Sequence, residues 1–385
     1  MIKRVIYLIA MSSFSERDVH RLGFEVLSAH GFDVEVWSCT PFLYPSVYEY
    51  SRKEELFRCR YLYRELHSRA EMRASIGGLD ASCFVICLLG YSYTTFPVYR
   101  ALSRRRVKYC CVANNVIPPL SMRSKARSVQ ISPARLLQGL FASIPPQYCG
   151  IRSPDVLLAG GARSIFYNYP VSRRTAVLWS HTFDYDLFLK DKRAFVAADK
   201  KIGVYLDEYL PFHPDFIHMM GAPTTPEDYY PLMCAFFDRL EEKYGVRIVV
   251  AAHPRSHYKE WDTCFGGRTI VKGKTLELVR QSVFAITHSS TSISFAVLFR
   301  KPVIFVTTDS VQKHPITGPW IDVMARWLNK KPINLNCSSS IDWENELMVD
   351  QEAYRSYQEA FVKKPGSPEK QSWEIFSDYL KALQS

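Results

Sequence analysis

Short apolar runs alternate along this chain with longer segments whose apolar positions recur at helical spacing. RVIYLIA (4–10), FDVEVWS (32–38), CFVICLLG (83–90), VKYCCVA (107–113), PDVLLAGG (154–161) and TAVLWSH (175–181) read as strands. A helix begins near Ser15, the stretch 46–74 reads as helical, and PARLLQGLFASI (133–144) reads as a helix with Pro at its start. Continuous apolar runs separated by helices predict a parallel sheet covered on both faces.

The series then restarts. KIGVYLDEYL (201–210), VRIVVAA (246–252), RTIVKG (268–273), VFAITHSS (283–290) and KPVIFVT (301–307) read as strands. Between them, 225–245 is a helix with Thr225 as cap, Pro226 at its first position and Gly245 at its end. TLELVRQS (275–282) is a further helix, and 347–362 and 371–383 read as helical. Two successive β/α series predict an α/β protein of two Rossmann-like domains facing a cleft, 1–190 and 191–385, the second carrying the terminal helices. Ligands of such sheets bind beyond the carboxyl ends of the strands.

Composition sharpens this little. The 385 residues are 47% hydrophobic and 23% charged, as in an ordinary globular chain. No run approaches about 18 consecutive apolar residues, and the basic, apolar start lacks a cleavage site, so a cytoplasmic location is expected. The ten Cys are scattered without a CxxC pair and read as reduced thiols. Charge is more telling. Residues 1–150 hold 20 Lys and Arg against 11 Asp and Glu, most of the net +11. The clusters RALSRRRVK (100–108) and MRSKAR (122–127) read either as a solvated face or as attraction to anionic membrane or an anionic acceptor. No nucleic-acid motif accompanies them.

Two loops carry the chemistry. In AAHPRSHY, His253 closes a strand, Pro254 fixes the chain's exit, and Arg255 and His257 add positive charge. A held imidazole donates to a phosphate oxygen or protonates a leaving group. In THSSTSISF, Ser289, Ser290, Thr291 and Ser292 lie between a strand end and a helix start, where hydroxyls and free N–H groups gather anions. A helix cap needs only one of them. The spacing suits neighbouring strands, so both loops are expected to address one phosphate.

HP followed about 35 residues later by SS resembles the paired motifs of bacterial sialyltransferases and related CMP-Kdo and polysialic acid transferases. The resemblance implies a GT-B fold in which His253, Ser289 and Ser290 hold the phosphate of CMP. It implies a metal-independent inverting transferase, needing no cofactor, that moves a sialic-acid-like or Kdo-like sugar onto a cell-surface glycan or glycolipid precursor. Peripheral contact with anionic membrane fits the basic N-terminal half. The acidic motif that some sialyltransferases use for the base is absent.

Other residues are open to two readings. Asp207 and Glu208 line the nucleotide or close their strand, and Lys274 meets the donor or sits in a solvated turn. His213-Pro214 repeats HP but reads as structural. Asp184 and Asp186 formally match DxD, though a metal site is not expected there. Ser15 and Asp18 match a capping box, leaving Glu16 as first choice for a general base, followed by Asp184. Two rival functions remain. One is a GT-B-like enzyme using a UDP-sugar or CDP-glycerol, in which His and Ser also lie near phosphates. The other is a non-enzymatic binder of membrane or nucleic acid.

Overall fold

The structure is a computed structural model that describes residues 1–11, 14–51, 60–120, 139, 141, 143–166, 169–191, 201–213, 216–217, 221–258, 263–337 and 341–383. The basic cluster 122–127 and most of the expected helix 133–144 lie outside the described residues.

The first sheet contains β1 (Arg4–Ile9), β2 (Asp33–Ser38), β3 (Leu62–Glu65), β4 (Cys83–Cys87), β5 (Lys108–Ala113), β6 (Val156–Ala159) and β7 (Ala176–Trp179). The strands are all parallel, in the order β3-β2-β1-β4-β5-β6-β7. Strand alternation divides β1 between two cores. Val5, Tyr7 and Ile9 pack with Phe24, Leu27, Trp373 and Phe376. Ile6 and Leu8 pack with Met72 and Ile76 of the helix Arg69–Gly77 and with Val98 and Leu102 of the helix Phe96–Arg105.

The second sheet repeats the plan with β8 (Ile202–Leu206), β9 (Arg247–Ala252), β10 (Ile270–Lys272), β11 (Ser282–Thr287), β12 (Val303–Thr307) and β13 (Ile333–Asn334). Its order is β10-β9-β8-β11-β12-β13, again parallel. Tyr205 faces the long helix Pro226–Tyr244, while Val204 and Leu206 face the core of Phe295, Tyr354 and Tyr357.

Three expectations change. The stretch 46–74 holds a parallel edge strand, β3, whose alternate residues are exposed, so its apolar signal is weak. The helices Asp309–Lys313 and Thr317–Trp327 and the short β13 extend the second series beyond 307. The chain divides into two compact units at Phe183/Asp184, and Lys363–Ser385 belongs to the first. The last helix, Ser372–Ala382, therefore does not sit with 191–385. Trp373 packs over Gly23 and donates from its indole to the Arg21 carbonyl at 2.8 Å. An indole with a hydrogen-bond partner is a strong anchor. Among the described residues no helix is long and apolar enough to cross a membrane.

Candidate functional site

Strand order in the second sheet reverses between β8 and β11, and this is where doubly wound sheets open a crevice for ligands. Chain leaving β8 supplies Asp207 and Glu208, chain leaving β11 supplies His288 to Thr291, and chain leaving β9 supplies His253. The expected neighbourhood of the HP and SS strands is thus corrected. β9 and β11 are separated by β8, and the β8 carboxylates stand between them.

The two acids do different work. Asp207 is buried and accepts from the Tyr258 hydroxyl at 2.6 Å, the Tyr209 N–H at 2.9 Å and the His253 N–H at 3.2 Å. Burial raises its pKa, and these donors oppose the rise. It ties the ends of β8 and β9 together. Glu208 accepts from both the N–H and the hydroxyl of Ser289, the latter at 2.8 Å. Withdrawal from water lifts its pKa to about 7, against the pull of the Ser289 bonds, and nearby Asp207 adds to the rise. Glu208 is therefore a carboxyl that exchanges its proton near neutral pH.

The backbone N–H of Arg255 donates to His253 Nδ1 at 3.2 Å. A neutral ring in that arrangement carries its proton on Nε2. The Ser256 hydroxyl holds the His253 carbonyl at 2.7 Å, so the turn after Pro254 fixes the imidazole's base. The ring of His213 lies 4.7 Å from that of His253, centroid to centroid. In the sequence His213 reads as structural, and its repeat of the HP dipeptide is the signal that marks it. The loop leaving β8 also holds Tyr209 at φ 56°, a conformation that a bulky residue adopts only under constraint. Its ring is buried against Tyr258 and Phe212.

The serines are less uniform than the sequence implied. Ser289 is bonded to Glu208. Ser290 accepts the Ser292 N–H at 3.3 Å and so closes the turn that starts the helix Ile293–Leu298. Thr291 is exposed. Behind them His288 is fully buried, its Nδ1 donating to the Val306 carbonyl at 2.7 Å and its Nε2 accepting from the Tyr229 hydroxyl at 2.9 Å. Burial drops its pKa to about 4, so it is a neutral structural ring that braces β11.

The remaining candidates lie elsewhere. Lys274 is exposed after the edge strand β10, two strands from β8. Asp184 and Asp186 occupy the first turn of the helix Phe183–Asp191, where acids suit the helix dipole. Asp184 belongs to the second unit, not to the loops of the first sheet. His181 Nε2 is bonded to the Lys370 carbonyl at 2.7 Å. Glu16 is exposed at the start of the helix Glu16–Arg21. Asp18 accepts the Ser15 N–H at 3.0 Å, as a capping box requires.

No protein-family model matches the chain, and no curated protein matches it. Solved structures do. S. aureus MnaA with UDP has a TM-score of 0.51 at 15% identity, over 100% of this chain and 98% of that one. A variant of the wall teichoic acid polymerase TagF gives 0.53 at 11% identity, over 100% and 90%. A TagF variant soaked with CDPG gives 0.52 at 12%, over 99% and 90%. The likeness spans both units and shows the expected fold, two Rossmann-like units of the GT-B type.

Proposed function

We propose that this chain is an enzyme acting on a nucleoside-diphosphate-linked donor, of the UDP-sugar or CDP-glycerol type, to build a surface glycan or glycolipid. The observation that carries this reading is the β8/β11 reversal point, where a carboxyl titrating near neutrality is bonded to Ser289 and an Nε2-protonated His253 stands on the next strand. The fold it shares with a UDP-bound protein and with a polymerase soaked with CDPG supports the donor class.

The chemistry is a displacement. An acceptor hydroxyl forms a bond to the donor's transferred carbon or phosphorus, and the bond to the nucleotide phosphate oxygen breaks. His253 donates from Nε2 to the departing phosphate. Protonated Glu208 tolerates a phosphate beside it, and the Ser290 hydroxyl adds a donor. The acceptor's proton passes to a base.

The HP and SS residues keep a CMP-linked sialic-acid-like or Kdo-like donor as a second reading, because His253 and Ser289 both end strands that flank β8. Thermal shifts with CMP, CDP, UMP, UDP and GDP, without divalent metal, separate the two. UDP or CDP at 100 times its dissociation constant should add about 2.7 kcal/mol of stability. A shift by CMP alone favours the second reading, and no shift by any nucleotide sinks both.

A further inference from the structure

The helices Arg69–Gly77 and Phe96–Arg105 of the first unit pack side by side and enclose a groove of about 630 Å³. Arg69 and Arg73 line one wall, Arg100, Arg104 and Arg105 the other, and Tyr93 stands at the groove with 64% of its surface exposed. Small residues, Gly77 and Ala101, also line it, and a Cβ added at Gly77 would meet nothing within 4 Å.

The charge there is uncompensated. Arg100 donates to the Cys149 carbonyl at 2.7 Å and Arg105 to the Leu79 carbonyl at 3.0 Å, neither of which neutralises a cation. Arg69, Arg73 and Arg104 have no hydrogen-bond or carboxylate partner among the described residues. The nearby acids are engaged elsewhere. Glu71 pairs with Arg64 and accepts the His67 N–H, and Asp80 accepts from Ser82. Five guanidiniums with no lining carboxylate would repel one another, and an anion relieves that repulsion.

The form of the groove selects the anion. Arg69 and Arg73, and likewise Arg100 and Arg104, are four residues apart on their helices, so each wall repeats its charge about every 6 Å along the axis. A row of charges on two facing walls matches a linear chain with regularly spaced anionic groups. A flat bilayer meets the rims of a groove rather than its lining. The exposed Tyr93 ring adds an apolar face on which a sugar ring can lie.

We propose that this groove binds a linear anionic glycan, the chain to be extended or the product being released. The choice of a glycan rests on the function proposed above; the polyanion site itself does not.

The test uses the full chain and four probes at 50 and 200 mM salt: a heparin-derived decasaccharide, a neutral decasaccharide, single-stranded DNA of equal charge, and vesicles containing phosphatidylglycerol. The expected result is binding of the anionic decasaccharide in preference to all the others. The Arg73→Ala/Arg104→Ala double variant should lose at least tenfold in affinity at 50 mM salt and flatten the slope of log K against log salt by roughly 1.4. The UDP or CDP thermal shift should be unchanged in that variant, which keeps the groove's failure apart from that of the donor reading. Undiminished decasaccharide binding by the folded double variant overturns the site. Tighter arginine-dependent binding to DNA or to vesicles overturns the glycan.

Discussion

Glu208 receives two hydrogen bonds from one residue, Ser289, and the pair bridges the strands at which the second sheet reverses its order. A nucleotide phosphate placed there adds negative charge beside a carboxyl whose pKa already stands at about 7. Binding then raises that pKa further and takes up a proton. Affinity for UDP or CDP should be level below pH 7 and fall as pH rises above it, by up to about tenfold per pH unit. The Glu208→Gln variant keeps the ligand's own titration but loses this dependence. Calorimetry from pH 6 to 8.5 checks it, and equal profiles for the two proteins would remove Glu208 from the phosphate site.

His288 makes an opposite contribution to folding. Its pKa falls from 6.5 in the unfolded chain to about 4 in the folded one. Between those values the unfolded state binds the proton and the folded state does not. Stability from this group is therefore complete above pH 6.5 and is lost as pH drops toward 4, about 3 kcal/mol in all. Glu208, raised instead of lowered, acts the other way: acidification from about 7 to 4.5 favours the folded state, which binds its proton first. Urea titrations from pH 7 to 4 in a Glu208→Gln background isolate the histidine, and His288→Gln should flatten the remaining curve.

The Asp207 carboxylate accepts from three groups, and an amide at that place would turn a donor toward one of them. Asp207→Asn should cost about 2–3 kcal/mol of stability. It should also loosen the base of His253, lowering kcat more than it raises KM. An unchanged kcat in the folded variant would make Asp207 a purely structural acid.

Trp373 fills the space beside Gly23, where an added Cβ would come within 2.1 Å of its ring. Gly23 also has φ +66°, so Gly23→Ala is strained twice over. Trp373→Ala should cost about 3–5 kcal/mol. Urea midpoints measure both.

Much of the fold is legible in the sequence, because strands buried on both faces show as apolar runs, and eleven of the thirteen described strands fall in segments that read as strands. Of the four edge strands, β7 and β10 keep adjacent apolar residues, whereas β3 (LYRE) and β13 (IN) carry polar ones and escape. The site is legible by residue type but not by partnership. His253, Glu208 and Ser289 stand out as polar groups at strand ends, yet strand order decides who meets whom, and spacing along the chain does not encode that order. The sequence therefore suggests serines for a phosphate, and the fold gives Ser289 to Glu208 and Ser290 to its own turn. The return of Trp373 to Gly23, some 350 residues earlier, leaves no local pattern at all.

That return has a consequence for synthesis. Chains emerge from the ribosome amino end first, and domains ordinarily fold in that order. Here the core on one face of β1 lacks Trp373, Phe376 and Leu380 until residues 373–380 have been translated. The later-encoded unit, built on Asp184–Val362, has its strands in hand sooner. The nascent first unit must wait with an open apolar face, and the helix Ser372–Ala382 acts as the closing stitch. A stop codon between residues 362 and 372 would thus injure the part of the protein that was made first.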